Sequence, residues 1–163
     1  IGLSRANAAD GAGRPLRRSL WMSLLLFFSG GLIALLISGI NTIIPAHYHG
    51  SIVGVTLGLM GLAYLLLPRL GYAPVSGRLA DLQPWVYGFG QLLHIAGLAI
   101  SGAMGIQRKT AGAAQNLDSI AAKAAMGVTG LGGLLAVIGG ILFVWIMLRA
   151  FMRGRQSSRG APE

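Results

Sequence analysis

Long apolar stretches separated by short polar segments dominate the pattern along this chain. A helix needs roughly 20 consecutive apolar residues to cross a membrane. Four stretches reach that length, and they run over residues 20–40, 44–67, 85–106 and 124–148. The pattern therefore predicts an all-α fold, a polytopic transmembrane helical bundle with four spans. A polar N-terminal loop is predicted before it and a polar C-terminal tail after it, over residues 1–18 and 151–163.

The composition supports a membrane protein, since 54% of the residues are hydrophobic and 10% are charged. The chain has no cysteine, which excludes disulfides and thiolate metal sites. Its formal net charge of +9 is compatible with a nucleic-acid partner or an anionic lipid surface. No signal peptide is recognisable before the first span. Because the chain begins at Ile1 rather than Met, we expect further residues upstream.

The basic residues are divided unequally between the two ends of the predicted bundle. If the spans alternate in direction, one end carries only Arg108, Lys109 and Lys123. The opposite end carries Arg5, Arg14, Arg17, Arg18, Arg69, Arg78, Arg149, Arg153, Arg155 and Arg159. Cytoplasmic loops are enriched in arginine and lysine, so both termini are predicted to be cytoplasmic. The same division favours membrane orientation over a nucleic-acid surface, and no nucleic-acid partner is expected.

The second span begins with two histidines, in the segment Pro45-Ala46-His47-Tyr48-His49. Each residue of an α-helix turns the chain by about 100°, so side chains two residues apart point about 200° apart. His47 and His49 therefore cannot bind the same metal ion while the segment stays helical. Polar side chains inside a membrane are costly unless they have partners. The spacing thus predicts a helix with a separate ligand on each of two opposite sides.

This segment resembles the tenth transmembrane helix of subunit I of the haem–copper oxidases, the cytochrome c and quinol oxidase superfamily. The resemblance lies in the triplet His47-Tyr48-His49 and in Pro68-Arg69-Leu70 at the far end of the span. It implies that His47 binds the iron of a high-spin haem. It also implies that His49 binds the iron of a low-spin haem, so that one helix serves two haems.

The third span is similar to the eleventh helix of the same family. The similarity lies in the pair Leu93-His94 and in the outer end Gly105-Ile106-Gln107-Arg108-Lys109. It implies that Arg108 and Lys109 bind haem propionates at the end of this helix, where cations also suit the helix dipole. Lys109 replaces the arginine that is usual in the family and lacks its bidentate fork. The alternative for both residues is snorkelling at the membrane interface. The fourth span resembles the twelfth helix.

A third histidine, His94, lies more than two turns inside the third predicted span. By the predicted orientation it lies in the inner half of the membrane, whereas His47 and His49 lie in the outer part. This difference in depth favours a structural, hydrogen-bonded histidine over a third ligand.

The second span also carries a ridge of glycines at four-residue spacing: Gly50, Gly54 and Gly58. Such a ridge can pack against a neighbouring helix. It can equally leave the backbone open to a flat porphyrin face, since Gly50 directly follows His49. The sequence gives these two interpretations the same weight.

The resemblance covers nearly the whole chain but only the last third of a complete subunit I. It implies that the complete enzyme reduces oxygen to water and translocates protons, using two haems and a copper ion. The copper ligands and the catalytic residues of the family lie on upstream helices, so no catalytic residue is predicted in this segment. The implied partners are those upstream helices, other oxidase subunits, the lipid bilayer, and cytochrome c or quinol as electron donor. The implied location is a bacterial-type inner membrane.

Three alternatives stay open at this stage. A nitric oxide reductase has the same fold, with iron in place of copper. A di-haem electron-transfer membrane protein needs four axial histidines, and this chain has three. A haem-free structural or assembly subunit has the same apolar helices without a cofactor. Whether the segment belongs to an enzyme therefore depends on residues upstream, where histidines on three earlier helices would indicate an oxidase.

Overall fold

A computed structural model describes residues 13–115 and 117–159, apart from the side chains of residues 113 and 155–159. This part contains four α-helices: α1 (Gly13–Ala34), α2 (Ile43–Arg69), α3 (Arg78–Ala103) and α4 (Ile120–Arg159). A short 3-10 helix over Gly112–Gln115 precedes α4. All four α-helices are long and apolar enough to cross a membrane, which confirms the predicted all-α bundle of four spans.

Helix α1 is shifted towards the N-terminus relative to the predicted span. Within the described residues it starts at Gly13, and Pro15 suits the first turn of a helix, where a missing N–H costs nothing. It ends at Ala34 because the chain then tightens into a turn, in which Ile37 N donates to Ala34 O over 3.2 Å. Since this turn is also apolar, hydropathy alone extends the span beyond the helix. The last six residues of the predicted N-terminal loop are therefore helical, and its first twelve lie outside the described residues.

Helix α3 begins at Arg78, within the segment that the sequence indicates as a turn-rich loop. Its second turn contains Pro84, which cannot donate a backbone hydrogen bond. The helix forms there nonetheless because Gln83 and Pro84 are fully buried against other helices. At the other end α3 stops at Ala103, before the predicted end of the span. The whole helix is thus displaced towards the N-terminus.

Helix α4 continues into the segment that is predicted to be a polar tail. The extra turns pack against the loop after α2, where the rings of Phe151 and Tyr72 meet edge to face at 4.6 Å. A Cβ added to Gly154 would lie 2.7 Å from Tyr72 Cα, so the backbones are in direct contact. The predicted tail is therefore helical over residues 151–159, and its last four residues lie outside the described part.

The helices pack as two antiparallel pairs, α1 with α2 and α3 with α4. Helix α3 also contacts α1 and α2 and so joins the two pairs, whereas α4 lies on the outer side of α3. In membranes, small residues allow helix backbones to approach closely. A Cβ added to Gly50 would lie 2.6 Å from Gly30 Cα, and one added to Gly90 would lie 2.5 Å from Ala136 N. Larger side chains at these two crossings would separate the helices.

The glycine ridge of α2 faces α1 throughout. A Cβ added to any of its members would meet an atom of α1. The contact would be with Gly30 for Gly50, with Phe27 for Gly54 and with Ser23 for Gly58. The ridge therefore packs against a helix. The alternative interpretation, in which these glycines face a porphyrin, is wrong because α1 already covers them.

A buried hydrogen-bonded cluster links α2, α3 and α4. Tyr64 OH donates to Gln83 Oε1 over 3.1 Å, and Gln83 Nε2 donates to Gly139 O over 3.2 Å. Gln83 is fully buried, and a buried amide is costly unless its donors and acceptors are paired. The cluster therefore fixes the relative heights of the three helices.

The alternation of the helices brings most of the basic side chains to one end of the bundle, as predicted. This end contains the start of α1, the end of α2, the start of α3 and the end of α4. Arg18 also ties α1 to α3 there, because its Nη1 donates to Asp81 O over 2.6 Å. Of the ten predicted residues, Arg5 and the side chains of Arg155 and Arg159 lie outside the described part. We call this end of the bundle the basic end.

The contact between α1 and α2 can be tested with two adjacent glycines. Gly30→Ala adds a Cβ 2.5 Å from Ser51 N, so we expect it to destabilise the protein. Overpacking of this kind costs about 1–3 kcal/mol in the free energy of unfolding. Thermal unfolding of the full-length protein in a mild detergent measures the effect.

Gly31→Ala is the matched control, because no atom lies within 4 Å of the added Cβ. Alanine is also the better helix former by roughly 0.5–1 kcal/mol. We therefore expect the control to be neutral or slightly stabilising. Equal destabilisation by the two substitutions would contradict the crossing at Gly30.

Candidate functional site

The first turn of α2 is attached to the end of α3. Thr42 N donates to Ile106 O over 3.0 Å, and Thr42 Oγ1 donates to Leu98 O over 2.8 Å. Next to it, Asn41 and Gln107 form an isolated antiparallel bridge. These bonds set the height of the following turns of α2, which carry the two neighbouring histidines.

His47 faces α1. Its Nδ1 lies 2.8 Å from Gly30 O, and because a carbonyl oxygen can only accept, Nδ1 carries a proton. The neutral ring therefore keeps its lone pair on Nε2. Imidazoles that bind metals commonly donate their other N–H to a backbone carbonyl, which fixes the tautomer and the ring orientation. A hydrogen bond from a different helix thus prepares His47 to act as a ligand.

His49 faces α3. Its Nδ1 donates to Pro45 O, one turn earlier in α2, over 2.8 Å, which again leaves the lone pair of a neutral ring on Nε2. Its ring centroid lies 5.0 Å from that of His94 on α3. Helix α2 is continuous through His47 and His49. The two side chains therefore face different helices, as the rotation of about 200° between them predicts.

His94 is hydrogen-bonded, as the sequence analysis predicts, because its Nδ1 donates to Thr129 O of α4 over 2.9 Å. The predicted difference in depth is wrong, since the ring of His94 lies beside that of His49. The error follows from the helix bounds. Helix α3 covers Arg78–Ala103, so His94 lies in the half of α3 that is next to the start of α2.

The three imidazoles do not form a metal site by themselves. Within the described part of the chain, no group of three or more His, Cys, Asp or Glu side chains is arranged to hold a metal ion. The rings of His49 and His94 are also too close for a porphyrin to lie between them, at 5.0 Å and an interplanar angle of 58°. Each histidine can therefore supply one bond to a metal whose remaining ligands come from elsewhere.

Arg108 and Lys109 lie in the turn after α3 and not in its last helical turn. Helix α3 ends at Ala103, and the turn contains two residues with positive φ, Gly105 at 84° and Lys109 at 63°. The predicted interaction with the dipole of this helix is therefore wrong, because that effect is confined to the last turn. The turn nevertheless brings both cations back towards the start of α2.

A cavity of about 220 Å³ lies between this turn and the start of α2. Arg108 and Lys109 line it from one side, and Pro45 and Tyr48 line it from the other. Arg108 Nε is buried and has no hydrogen-bond partner among the described residues. Buried N–H groups are nearly always paired, so this donor is an exception among the described residues.

These residues fit the haem that the resemblance implies. Haem iron takes imidazole ligands, and His47 and His49 each present an Nε2 lone pair with Nδ1 already paired, as His94 also does. Haem propionates are carboxylates, which are the preferred partners of a guanidinium group. Arg108, whose Nε has no hydrogen-bond partner among the described residues, lines the same cavity as Tyr48, and Tyr48 stands between His47 and His49.

Two supporting groups of this site have no clear signal in the sequence. One is the backbone carbonyl of Gly30, which orients His47, and no sequence signal marks an individual carbonyl. The other is Thr42, whose buried hydroxyl attaches α2 to α3. A threonine just before a proline-containing first turn is a weak signal for such a contact.

The chain matches a known protein family. Residues 39–142 match the sequence profile of the family described as Cytochrome C and Quinol oxidase polypeptide I. The matched range covers more than half of the 163 residues and includes all of α2 and α3. It therefore contains His47, His49, His94, Arg108 and Lys109.

The curated relatives are much longer than this chain. An uncharacterized protein of Rickettsia prowazekii (strain Madrid E) is 40% identical over 135 residues, which cover 76% of this chain and 26% of the relative. An uncharacterized protein of Aquifex aeolicus (strain VF5) is 33% identical over 69 residues, which cover 42% of this chain and 18% of the relative. The chain thus matches only a minor part of each of these proteins.

The attachment of α2 to α3 can be tested at Thr42. Thr42→Val keeps the shape of the side chain but removes the hydrogen bond to Leu98 O, so we expect a loss of about 1 kcal/mol in the free energy of unfolding. Thr56→Val is the control, because Thr56 Oγ1 donates only to Ile52 O of its own helix. Thermal unfolding of the full-length protein in detergent measures both. A loss for Thr56→Val as large as that for Thr42→Val would contradict a special role of Thr42.

Proposed function

This chain belongs to the cytochrome c and quinol oxidase polypeptide I family, and on that basis we propose that it is the C-terminal part of the catalytic subunit of a haem–copper terminal oxidase. The complete subunit reduces oxygen to water and couples the reaction to proton translocation. This part binds haem, while the copper ligands and the catalytic residues belong to upstream helices. The observation that carries the proposal is the pair His47 and His49, two supported imidazoles that face different neighbours on one helix.

In this proposal His47 is the ligand of the high-spin haem iron and His49 the ligand of the low-spin haem iron. When bound, haem would supply the redox-active iron, and the protein would tune it through the imidazole ligands and their hydrogen bonds. The hydrogen bond from His47 Nδ1 to Gly30 O increases electron donation from Nε2. The bond from His49 Nδ1 to Pro45 O does the same on the other side of the helix. His94 is proposed to be a neighbour of the His49 ligand and not a ligand itself.

Arg108 and Lys109 are proposed to bind the haem propionates. The two side chains differ in what they offer: Arg108 presents a buried donor, and Lys109 an exposed positive charge. A guanidinium can bind a carboxylate through two parallel hydrogen bonds, whereas an ammonium acts as a point charge. Arg108 should therefore contribute more to the position of a propionate than Lys109.

The proposed partners follow from the surface of the bundle. Large apolar side chains are exposed on all four helices, for example Trp21, Leu59, Phe89 and Ile141. In the complete enzyme these faces would contact lipid, the upstream helices or other oxidase subunits. Cytochrome c or quinol is the proposed electron donor, and a bacterial-type inner membrane is the proposed location.

Separate substitutions of the two histidines test the assignment in the full-length protein. His49→Ala should remove the low-spin haem band from the visible spectrum and block electron entry. His47→Ala should perturb the high-spin haem and its binding of carbon monoxide while leaving much of the low-spin band. Arg108→Ala should have a smaller effect, mainly a shift of a reduction potential.

Tyr48→Phe is the matched control for these substitutions, because it changes the residue between the two histidines without removing an imidazole. We expect it to keep both haem bands. Loss of the same band in His47→Ala and His49→Ala would contradict the proposal that they serve different haems. Stoichiometric low-spin haem with two histidine ligands in the isolated 163-residue chain would support the electron-transfer alternative instead.

The proposed orientation has both termini in the cytoplasm, because the basic end collects most of the arginines. A reporter that is active only in the cytoplasm, fused after Glu163, should be active. The same reporter inserted in the α3–α4 loop after Thr110 should be inactive. Activity of an exported reporter fused after Glu163 would exclude this orientation.

A further inference from the structure

A pocket of about 60 Å³ lies at the basic end, between α4 and the loop that joins α2 to α3. Arg149 and Arg153, one turn apart on α4, form its charged side. The ion pairs of the described residues involve only Arg14 and Arg18 with Asp81, so neither pocket arginine is paired within the described part. Two uncompensated guanidinium groups at the rim of one pocket favour an anionic ligand.

The walls of this pocket are part of the packed interior. Val75 and Ala80 on one side and Ile146 and Ala150 on the other are buried in one hydrophobic cluster. The contact of Gly154 with the loop backbone holds the end of α4 in place next to them. The pocket is therefore a fixed feature of the fold and not a gap between mobile side chains.

An apolar groove of about 430 Å³ runs along α4 from this pocket towards the middle of the bundle. Its lining consists of Val137, Gly140, Ile141, Val144, Trp145 and Leu148. Trp145 lines both the pocket and the groove, so the two are adjacent. Gly140 lowers the floor of the groove, because a Cβ added there would meet only Tyr87 Cε2, at 3.8 Å.

We propose that the pocket and the groove together bind one anionic phospholipid. The phosphate lies between Arg149 and Arg153, and one acyl chain follows the groove along α4. A soluble anion would use only the pocket, and a neighbouring helix would use only the groove, whereas a phospholipid matches both charge and apolar surface. Trp145 stands where head group and chain meet, the level at which tryptophan is enriched in membranes. Basic pockets between transmembrane helices on the cytoplasmic side suit anionic head groups. The proposal does not depend on haem.

Native mass spectrometry of the full-length protein tests this proposal. The protein is purified in a mild detergent and equilibrated with equal amounts of dioleoyl phosphatidylglycerol and dioleoyl phosphatidylcholine. We expect preferential retention of phosphatidylglycerol. In Arg149→Ala/Arg153→Ala its affinity should fall roughly 10- to 30-fold, because each cation near a membrane surface contributes about fivefold.

Arg17→Ala/Arg69→Ala is the control for charge, because these exposed arginines lie at the same end but outside the pocket. We expect it to retain phosphatidylglycerol like the wild type. An equal loss in both double variants would show general attraction to the basic end and would overturn the proposal. Displacement of the lipid by millimolar inorganic phosphate would identify a soluble anion as the ligand and would overturn it as well.

Gly140→Leu tests the groove without removing a charge. The new side chain fills the path of the acyl chain, so we expect retention of phosphatidylglycerol to fall at least fivefold. Gly130→Leu is its control, since Gly130 lies on α4 outside the groove and no atom lies within 4 Å of an added Cβ. Unchanged retention of phosphatidylglycerol in Gly140→Leu would show that no acyl chain lies in the groove. The same result is expected if upstream helices cover the groove, and it would overturn the proposal in that case too. Unchanged melting temperatures would show that the variants remain folded.

Discussion

The close contact of α1 and α2 at Gly30 and Gly50 is the constraint on which the candidate site depends. Lipid gives packed helices no hydrophobic advantage over separated ones, so their association relies on close backbone contact and hydrogen bonds. The crossing at Gly30 and Gly50 provides both a close backbone contact and a hydrogen bond. Because Gly30 meets Gly50 without a side chain between them, Gly30 O comes within 2.8 Å of His47 Nδ1. The crossing that joins α1 and α2 therefore also selects the tautomer of His47. A change in the packing at Gly30 would change the hydrogen bond of this imidazole.

The number of helices and their membrane character were predictable from the sequence, because apolar stretches of sufficient length leave few alternatives. The residues at which the helices begin and end were not predictable in the same way. Hydropathy does not distinguish the last turn of α1 from the apolar turn that follows it, and it does not register the burial of Gln83 and Pro84 that extends α3. It also misses the packing of Phe151 on Tyr72, which keeps the end of α4 helical. Each of these ends depends on a tertiary contact.

The opposite directions of His47 and His49 were predictable because they depend only on helical rotation. The position of His94 was not, since a shift of α3 by a few residues moves its ring from a different depth to the side of His49. The resemblance singled out Arg108, but the burial of its Nε, which has no partner in the described part of the chain, is visible only in three dimensions. Local geometry was thus accessible from the sequence, whereas distances between elements required the folded chain.

The peripheral position of α4 has a consequence for the order in which this part of the protein is built. Helices leave the ribosome from the N-terminus, so α1, α2 and α3 are available to one another before α4 is complete. The carbonyl that holds His47 belongs to α1, whereas the carbonyl that holds His94 belongs to α4. The hydrogen bond that orients His47 can therefore form before α4 is complete, whereas the one that orients His94, the ring beside His49, cannot. The packing around these histidines is therefore completed in the order in which the helices are translated.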